Sequence, residues 1–303
     1  MSPDWSDSER RRAADFETGY VPKRSRAPDL RSDAATAVVC SSEMSVPPCD
    51  HLLLVATSSE LAALSVVGRE LGLTCTRLRD PDLGRFLRLD REGRTLAIVV
   101  KTEMGALGTN GSVVTAWRFQ AACEAAFVIQ VGTAFGVSPD EQHIGDVLVA
   151  RSLLAYDNRN IGTHEDREQV TYPRVSPIAA SLDVVHRCEE FARAWEATRP
   201  AYSVRFGALL SGGAAISRAA FRHQLWNDLT ARSNHPIVGG EMEAIGLVGV
   251  GRAPGARWGV IKAISDFADE DRDAHIRQSR VLASENAARF ALGTLLAANT
   301  ENG

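Results

Sequence analysis

The sequence contains no apolar run of transmembrane length, which excludes a spanning helix. Arg10, Arg11 and Arg12 near the N-terminus are not followed by an apolar stretch, so no secretory signal is expected. There is no excess of basic residues. The formal net charge of −4 gives no electrostatic footprint for a nucleic-acid polymer or an anionic membrane. Cysteine is sparse, and Cys40, Cys49, Cys75, Cys123 and Cys188 are odd in number and widely spaced, so they read as free thiols in a reducing cytoplasm. No CxxC, HxxH or HExxH spacing occurs, so no metal is expected. GxGxxG and GxxxxGK[ST] are also absent, which removes dinucleotide and Walker-type phosphate binding, and no cofactor is predicted. No internal repeat is evident.

What is present divides into two parts. Residues 1–50 are charged, carry scattered prolines and have few aliphatic residues, and are expected to be a disordered tail with one short helix around Asp7–Phe16. The domain is expected over 51–300. HLLLVAT (51–57) reads as a buried strand, followed by a helix capped at Ser58 with Leu61, Leu64, Val67 and Leu71 on one face. Residues 85–105 read as a hairpin turning at Arg91-Glu92-Gly93. Gly105, Gly108 and Gly111 then lead into a helix. Residues 126–137 form a strand running into Gly132-Thr133-Ala134-Phe135-Gly136, where glycine lets backbone approach a ligand. Residues 158–176 read as a long polar loop of the kind that forms a lid or sets specificity. Helices are expected over 177–197, 221–230 and 274–298. Strands alternating with helices argue an α/β fold with a largely parallel core sheet.

Three acids fall at comparable places. Asp266 follows the apolar run Trp258–Ile264, where open α/β sheets place their ligands, although Asp also suits a cap or turn. Glu60 lies in the first turn of the helix after the first strand, where the helix dipole alone would favour it. Within residues 236–252, Glu241 and Glu243 flank Met242 just before an expected small-residue apolar helix, and they too suit a helix start.

The words LLVATSSELAAL, VKTEMG, VGTAFGV, IGDVLVA, FGALLSGGAAI, GGEMEAIGLV and VIKAISDFAD run in that order over residues 51–298. Together they resemble the nucleoside phosphorylase/nucleosidase superfamily, most closely the methylthioadenosine/S-adenosylhomocysteine nucleosidases and related purine nucleosidase domains. EMEA and AISDFAD are the specific words. The resemblance implies a three-layer phosphorylase/hydrolase-like fold, with a mixed, largely parallel central sheet flanked by helices. It implies that Asp266 donates to N7 of a purine and that Glu60 deprotonates the attacking water. It places Glu243 on the ribose hydroxyls with Met242 packed on the sugar. Glu241, Gly132, Thr133 and Ser265 would line the same site, and backbone groups at Ala215 and Ile216 would meet the base.

The chemistry gives its own reasons for these residue types. Breaking an N-glycosidic bond leaves electrons on the purine, and protonating N7 neutralises them. A carboxyl can serve only if it holds its proton near neutral pH, and a shift of ~3 units needs about 4 kcal/mol. Glu60 has the opposite task of accepting a proton, and two carboxyls pushed apart in pKa mark acid and base. Phosphorylases of the superfamily carry Arg where this chain has Gln130, which favours water over phosphate as nucleophile. A phosphorylase and an inactive nucleoside-binding domain are the alternatives.

Gly213 and Ala215 depart from the family's acid and aromatic. The base is then expected to rest on another group such as Phe135 or Phe267, and Lys262 replaces the family's Arg. The substrate is expected to be an adenine-type nucleoside or nucleotide. Arg159, Arg167 and Arg174 suit either a phosphate or a solvated loop. The small-residue segment after Glu243 suits subunit packing, and relatives pair subunits over each pocket, so a homo-oligomer is expected.

Overall fold

The computed structural model describes residues 44–164, 167–173, 175–198, 201–250 and 256–299. The short helix expected over Asp7–Phe16 lies outside them. So do Arg174 and the side chains of Arg159 and Arg167.

The apolar runs become strands buried on both faces. β1 (His51–Val55) turns Leu53 and Val55 to one side and Leu52 and Leu54 to the other. β4 (Arg94–Lys101) does the same with Ala97 and Val99 against Ile98 and Val100, and β5 (Phe127–Gly136) with Ile129 and Val131 against Val128. A strand covered on both sides has no solvent face to mark with polar residues, so its sequence is continuously hydrophobic. The first side packs on α1 (Ser58–Glu70), α3 (Leu182–Glu196) and α5 (Arg272–Asn299). The second packs on α2 (Ser112–Cys123) and a 3-10 turn (Ala244–Val248).

The other strands of this sheet are β2 (Thr74–Asp80), β3 (Gly84–Arg91), β6 (Val147–Ala155), β9 (Ile178–Ala179), β10 (Val204–Ser211), β11 (Ile237–Glu241) and β12 (Arg257–Asp266). They order as β11-β10-β6-β12-β5-β1-β4-β3-β2, with β9 beside β6. Pairs β12–β5, β5–β1, β1–β4, β6–β10 and β10–β11 are parallel, while β12–β6, β2–β3 and β3–β4 are antiparallel. The sheet is therefore mixed with a parallel core and helices on both sides, as the alternation predicts. β11 also pairs antiparallel with β5 through Gly239–Gly136 and Gly240–Phe135, which folds the far edge back onto the middle. Glycine permits this approach, because a Cβ at Gly240 would run into the Phe135 ring.

Several local expectations change. Thr57, not Ser58, caps α1: its hydroxyl accepts from Glu60 N while the Glu60 carboxylate accepts from Thr57 N, a reciprocal capping box. Leu71 lies past the end of α1 and is 36% exposed rather than on its buried face. The segment 158–176 is not a structureless loop. It carries β7 (Arg159–His164) and β8 (Arg167–Pro173), paired antiparallel as a separate ribbon. Its polar composition conceals the strands, since a two-stranded ribbon off the sheet needs no core face. Gly132–Gly136 continue β5 instead of leaving it. Residues 44–50 lie against the domain, with Val46 N–H donating to Asp80 Oδ2 at 3.2 Å and Cys49 N–H to Cys123 O at 3.0 Å. No helix among the described residues is long and apolar enough to cross a membrane.

Candidate active site

Residues at or just past the carboxyl ends of β1, β5 and β12 meet those of β10 and β11, which the β11–β5 pairing brings in from the opposite direction, and together they line one cleft. This is the carboxyl-end crevice that parallel sheets offer to ligands. Glu60, Thr133, Ala215, Ile216, Glu241, Met242, Glu243, Ser265 and Asp266 all line it, together with Phe135. Gly132 does not. It lies behind Glu60, where any Cβ would collide with the carboxylate, so its part is to let Glu60 and β5 meet. Phe267 is also absent from the wall and packs in the core. Gln130 is fully buried in β5 with neither amide atom hydrogen-bonded, and does not line the cleft.

The acids are held in three different ways. Glu60 is 3% exposed, and its oxygens accept from Ala56 N and Thr57 N at 2.9 Å, Thr133 N at 2.8 Å and Thr133 Oγ1 at 3.2 Å. Four donors on one carboxyl suit an acceptor-only carboxylate. The capping box and the site are therefore one structure: the side chain that starts α1 is also the one presented to the cleft.

Asp266 ends β12, at a register shift against β5. Its Oδ2 accepts from Ser265 Oγ and its Oδ1 from Ala268 N, both at 2.9 Å, while Arg272 Nε stands 3.7 Å away. Burial pushes its pKa above the ordinary carboxylic range. The two hydrogen bonds and Arg272 oppose that shift, and Asp269 adds to it. Ala268 follows in the left-handed region (φ 50°), which turns its N–H back onto the carboxyl. Ser279 of α5 donates to Ser265 O at 2.5 Å, and Arg222 of α4 (Ala219–Thr230) donates to Phe267 O, so helices clamp both flanks of the acid.

Glu243 is held through a group the sequence marked only as a departure. Lys262 is fully buried, with its Nζ 3.1 Å from Glu243 Oε2 and 3.5 Å from Glu241 Oε2. Burial alone would lower the Lys262 pKa, but Glu243, Glu241 and Glu60 together raise it, so the ammonium is retained. Gly105 N–H reaches Glu243 Oε1 at 3.3 Å, which gives the Gly105–Gly111 loop a protein carboxylate as its partner. Glu241 is turned inward. Its Oε2 accepts from the N–H groups of Glu243 and Ala244, its side chain has no exposed surface, and burial raises its pKa despite Lys262. It braces the turn that aims Glu243, and that turn is a short 3-10 segment rather than the longer helix read from the sequence.

Other groups went unread in the sequence. Tyr156 OH stands 2.5 Å from Ala214 O and 3.1 Å from Gly212 O, sharing its one proton between the two carbonyls, and so fixes the loop bearing Ala215 and Ile216. Met104, Ala56, Thr57, Ile276, Arg272 and Arg280 line the cleft as well. The α5 residues stand at i, i+4 and i+8, a helical spacing visible in the sequence once the helix is given.

The phosphorylase superfamily model matches residues 50–297. The chain belongs to that superfamily. No match was found among curated proteins. Solved structures similar to this one include the 5′-methylthioadenosine/S-adenosylhomocysteine nucleosidase of Neisseria meningitidis in complex with methylthio-immucillin-A, at 18% identity and TM-score 0.61, covering 82% of this chain and 98% of that one. Helicobacter pylori futalosine hydrolase aligns at 18% identity and TM-score 0.64 over 82% and 98% of the two chains. The 5′-methylthioadenosine/S-adenosylhomocysteine nucleosidase of Helicobacter pylori aligns at 18% and 0.63 over 84% and 100%. At this identity the likeness establishes the superfamily fold.

Proposed function

We propose that this superfamily member is a purine N-ribosyl hydrolase, releasing the free base from an adenine-type nucleoside or nucleotide. The observation that carries the reading is that Asp266, Glu60 and Glu243 face one cleft, and that burial raises the pKa of Asp266, the direction a proton donor needs. The solved neighbours named as nucleosidases and as futalosine hydrolase agree with this reaction class.

In this reading Asp266 gives its proton to purine N7 as the glycosidic bond lengthens. Ser265 and Ala268 donate to the carboxylate that remains. Water lies at Glu60 Oε1, whose longest contact is the 3.2 Å bond from Thr133 Oγ1, the one a water can share or replace. Glu60 takes the water's proton as the oxygen attacks C1′. Glu243 accepts from the ribose hydroxyls, while Lys262 and Gly105 fix its orientation, and its negative charge favours the cationic sugar. Lys262 acts through Glu243 and is a positioning residue.

The test is release of free base from adenosine, 5′-methylthioadenosine and AMP in phosphate-free buffer, followed by chromatography. The expected result is base release by the wild type and loss of turnover with retained ligand binding in Glu60→Gln. Release that requires phosphate would convert the reading to a phosphorylase. No release from any of the three would remove it.

The protein is also proposed to be a homo-oligomer, on a different basis from the small-residue segment after Glu243. That segment is largely buried against α2 of its own chain. Met104, Leu107, Val113, Val114 and Trp117, all on α2 or the loop before it, are among the exposed apolar residues, at 54%, 85%, 39%, 38% and 58%. Met104 also lines the cleft, so a second copy seated on this face would border the site.

A further inference from the structure

Two arginines of α5 line the cleft, Arg272 and Arg280, with Ile276 between them. At eight residues' separation they share a helix face and stand about 12 Å apart along its axis. They differ in what they hold. Arg272 approaches Asp266 Oδ1 at 3.7 Å and Asp273 Oδ1 at 3.3 Å. Arg280 has no hydrogen bond or ion pair among the described residues, and its Nε is buried without a partner.

A guanidinium keeps its charge at any ordinary pH, and its rigid fork matches the oxygens of phosphate and carboxylate. A buried donor with no acceptor is the arrangement folded proteins avoid unless a ligand supplies the acceptor. The carboxyls of the cleft are held by other groups: Asp266 by Ser265 and the Ala268 N–H, Glu60 by Thr133, Glu243 by Lys262 and Glu241 by the backbone of its own turn. An anionic group on a ligand is repelled from those positions and attracted to Arg280.

We infer that Arg280 receives an anionic substituent, phosphate or carboxylate, carried by the substrate at the end of the ribose remote from the base. This rests on the nucleosidase reading, in which Asp266, beside Arg272, marks the base end. Arg280, two helical turns further along, then marks the opposite end, and the substrate class narrows from nucleosides in general to anionic ones. Arg280 sets specificity and takes no part in the bond-breaking step.

The experiment compares kcat/KM for adenosine, AMP and S-adenosylhomocysteine in the wild type, Arg280→Ala and Arg280→Lys. Titration of AMP and adenosine into the Asp266→Asn and Asp266→Asn/Arg280→Ala proteins measures binding without turnover. The expected result is a wild-type preference for one anionic substrate over adenosine. Arg280→Ala should reduce that ratio by about 10- to 100-fold, the scale of losing a charge-assisted hydrogen-bonded pair, and Arg280→Lys should restore part of it. AMP as the favoured substrate identifies phosphate, and S-adenosylhomocysteine identifies carboxylate. Base release with adenosine equal to or better than both, or an Arg280→Ala effect equal on neutral and anionic substrates, overturns the anion assignment and leaves the hydrolase reading standing. No base release, with AMP still bound more tightly than adenosine through Arg280, supports the anion site and overturns the hydrolase reading.

Discussion

Replacing Lys262 by methionine removes the positive charge that lies between two buried carboxyls. The ammonium stands 3.1 Å from Glu243 and 3.5 Å from Glu241 with no exposed surface of its own. At an effective dielectric near 20, each contact is an attraction of about 5 kcal/mol before desolvation is charged against it. Breaking a buried pair by removing one member costs about 3–5 kcal/mol, because the partner charge is left uncompensated. That is a large share of the total stability of about 5–15 kcal/mol typical of a folded domain. Lys262→Met should therefore lose about 3–5 kcal/mol in urea denaturation at pH 7. The penalty should shrink at pH 5, where the stranded carboxyls take up protons more readily, and Lys262→Arg should keep most of the stability. Turnover of Lys262→Met should fall as well, since Glu243 loses the contact that aims it. A methionine variant within 1 kcal/mol of the wild type at pH 7, or a penalty that does not diminish at pH 5, would refute this electrostatic account.

In the proposed reaction Asp266 must be protonated to act, and burial raises its pKa. Activity should fall as pH rises through that raised value. The fold favours the neutral acid, so its stabilising contribution is full below the ordinary carboxylate range and is lost over the same rise. Asp266→Asn should lower kcat/KM by about 10²–10⁴-fold and, in thermal denaturation across pH, should lack this alkaline loss of stability. An unchanged alkaline limb in the variant would reassign the titrating group. Gly132→Ala forces a Cβ into the Glu60 carboxyl. A displacement of about 1 Å at a catalytic group can cost ~10²-fold, so kcat should drop on that scale while the far-ultraviolet circular dichroism spectrum is retained; activity within threefold of wild type would show that Glu60 tolerates the shift. Trp117→Asp, on the exposed apolar face of α2, should convert the protein to monomer in sedimentation velocity, and an unaltered sedimentation coefficient would place the interface elsewhere.

The elements that the sequence revealed most clearly are those with one dominant cause. β1, β4 and β12 are buried on both sides, so their hydrophobic runs needed no further context. Asp266, Glu60 and Glu243 stand at strand and helix ends, where position along the chain already sets position in space. What escaped was relational. Thr57 and Ser58 are equally good caps in isolation, and only the reciprocal bond with Glu60 selects Thr57. The ribbon β7–β8 hides in a polar segment because it packs off the main sheet. Glu241 and Glu243 look equivalent in EMEA, yet Glu241 is engaged by the backbone N–H groups of its own turn while Glu243 is held by Lys262 and the Gly105 N–H. Arg280 is an ordinary surface-like arginine until α5 is laid beside β12.

The most direct measurement is mass spectrometry of the sugar product formed in ¹⁸O-water, quenched within the first turnovers and with phosphate added or withheld. One ¹⁸O atom at C1′, independent of phosphate and lost with Glu60→Gln, is the result this account predicts. A sugar 1-phosphate formed only when phosphate is present, or no cleaved sugar under either condition, would contradict it.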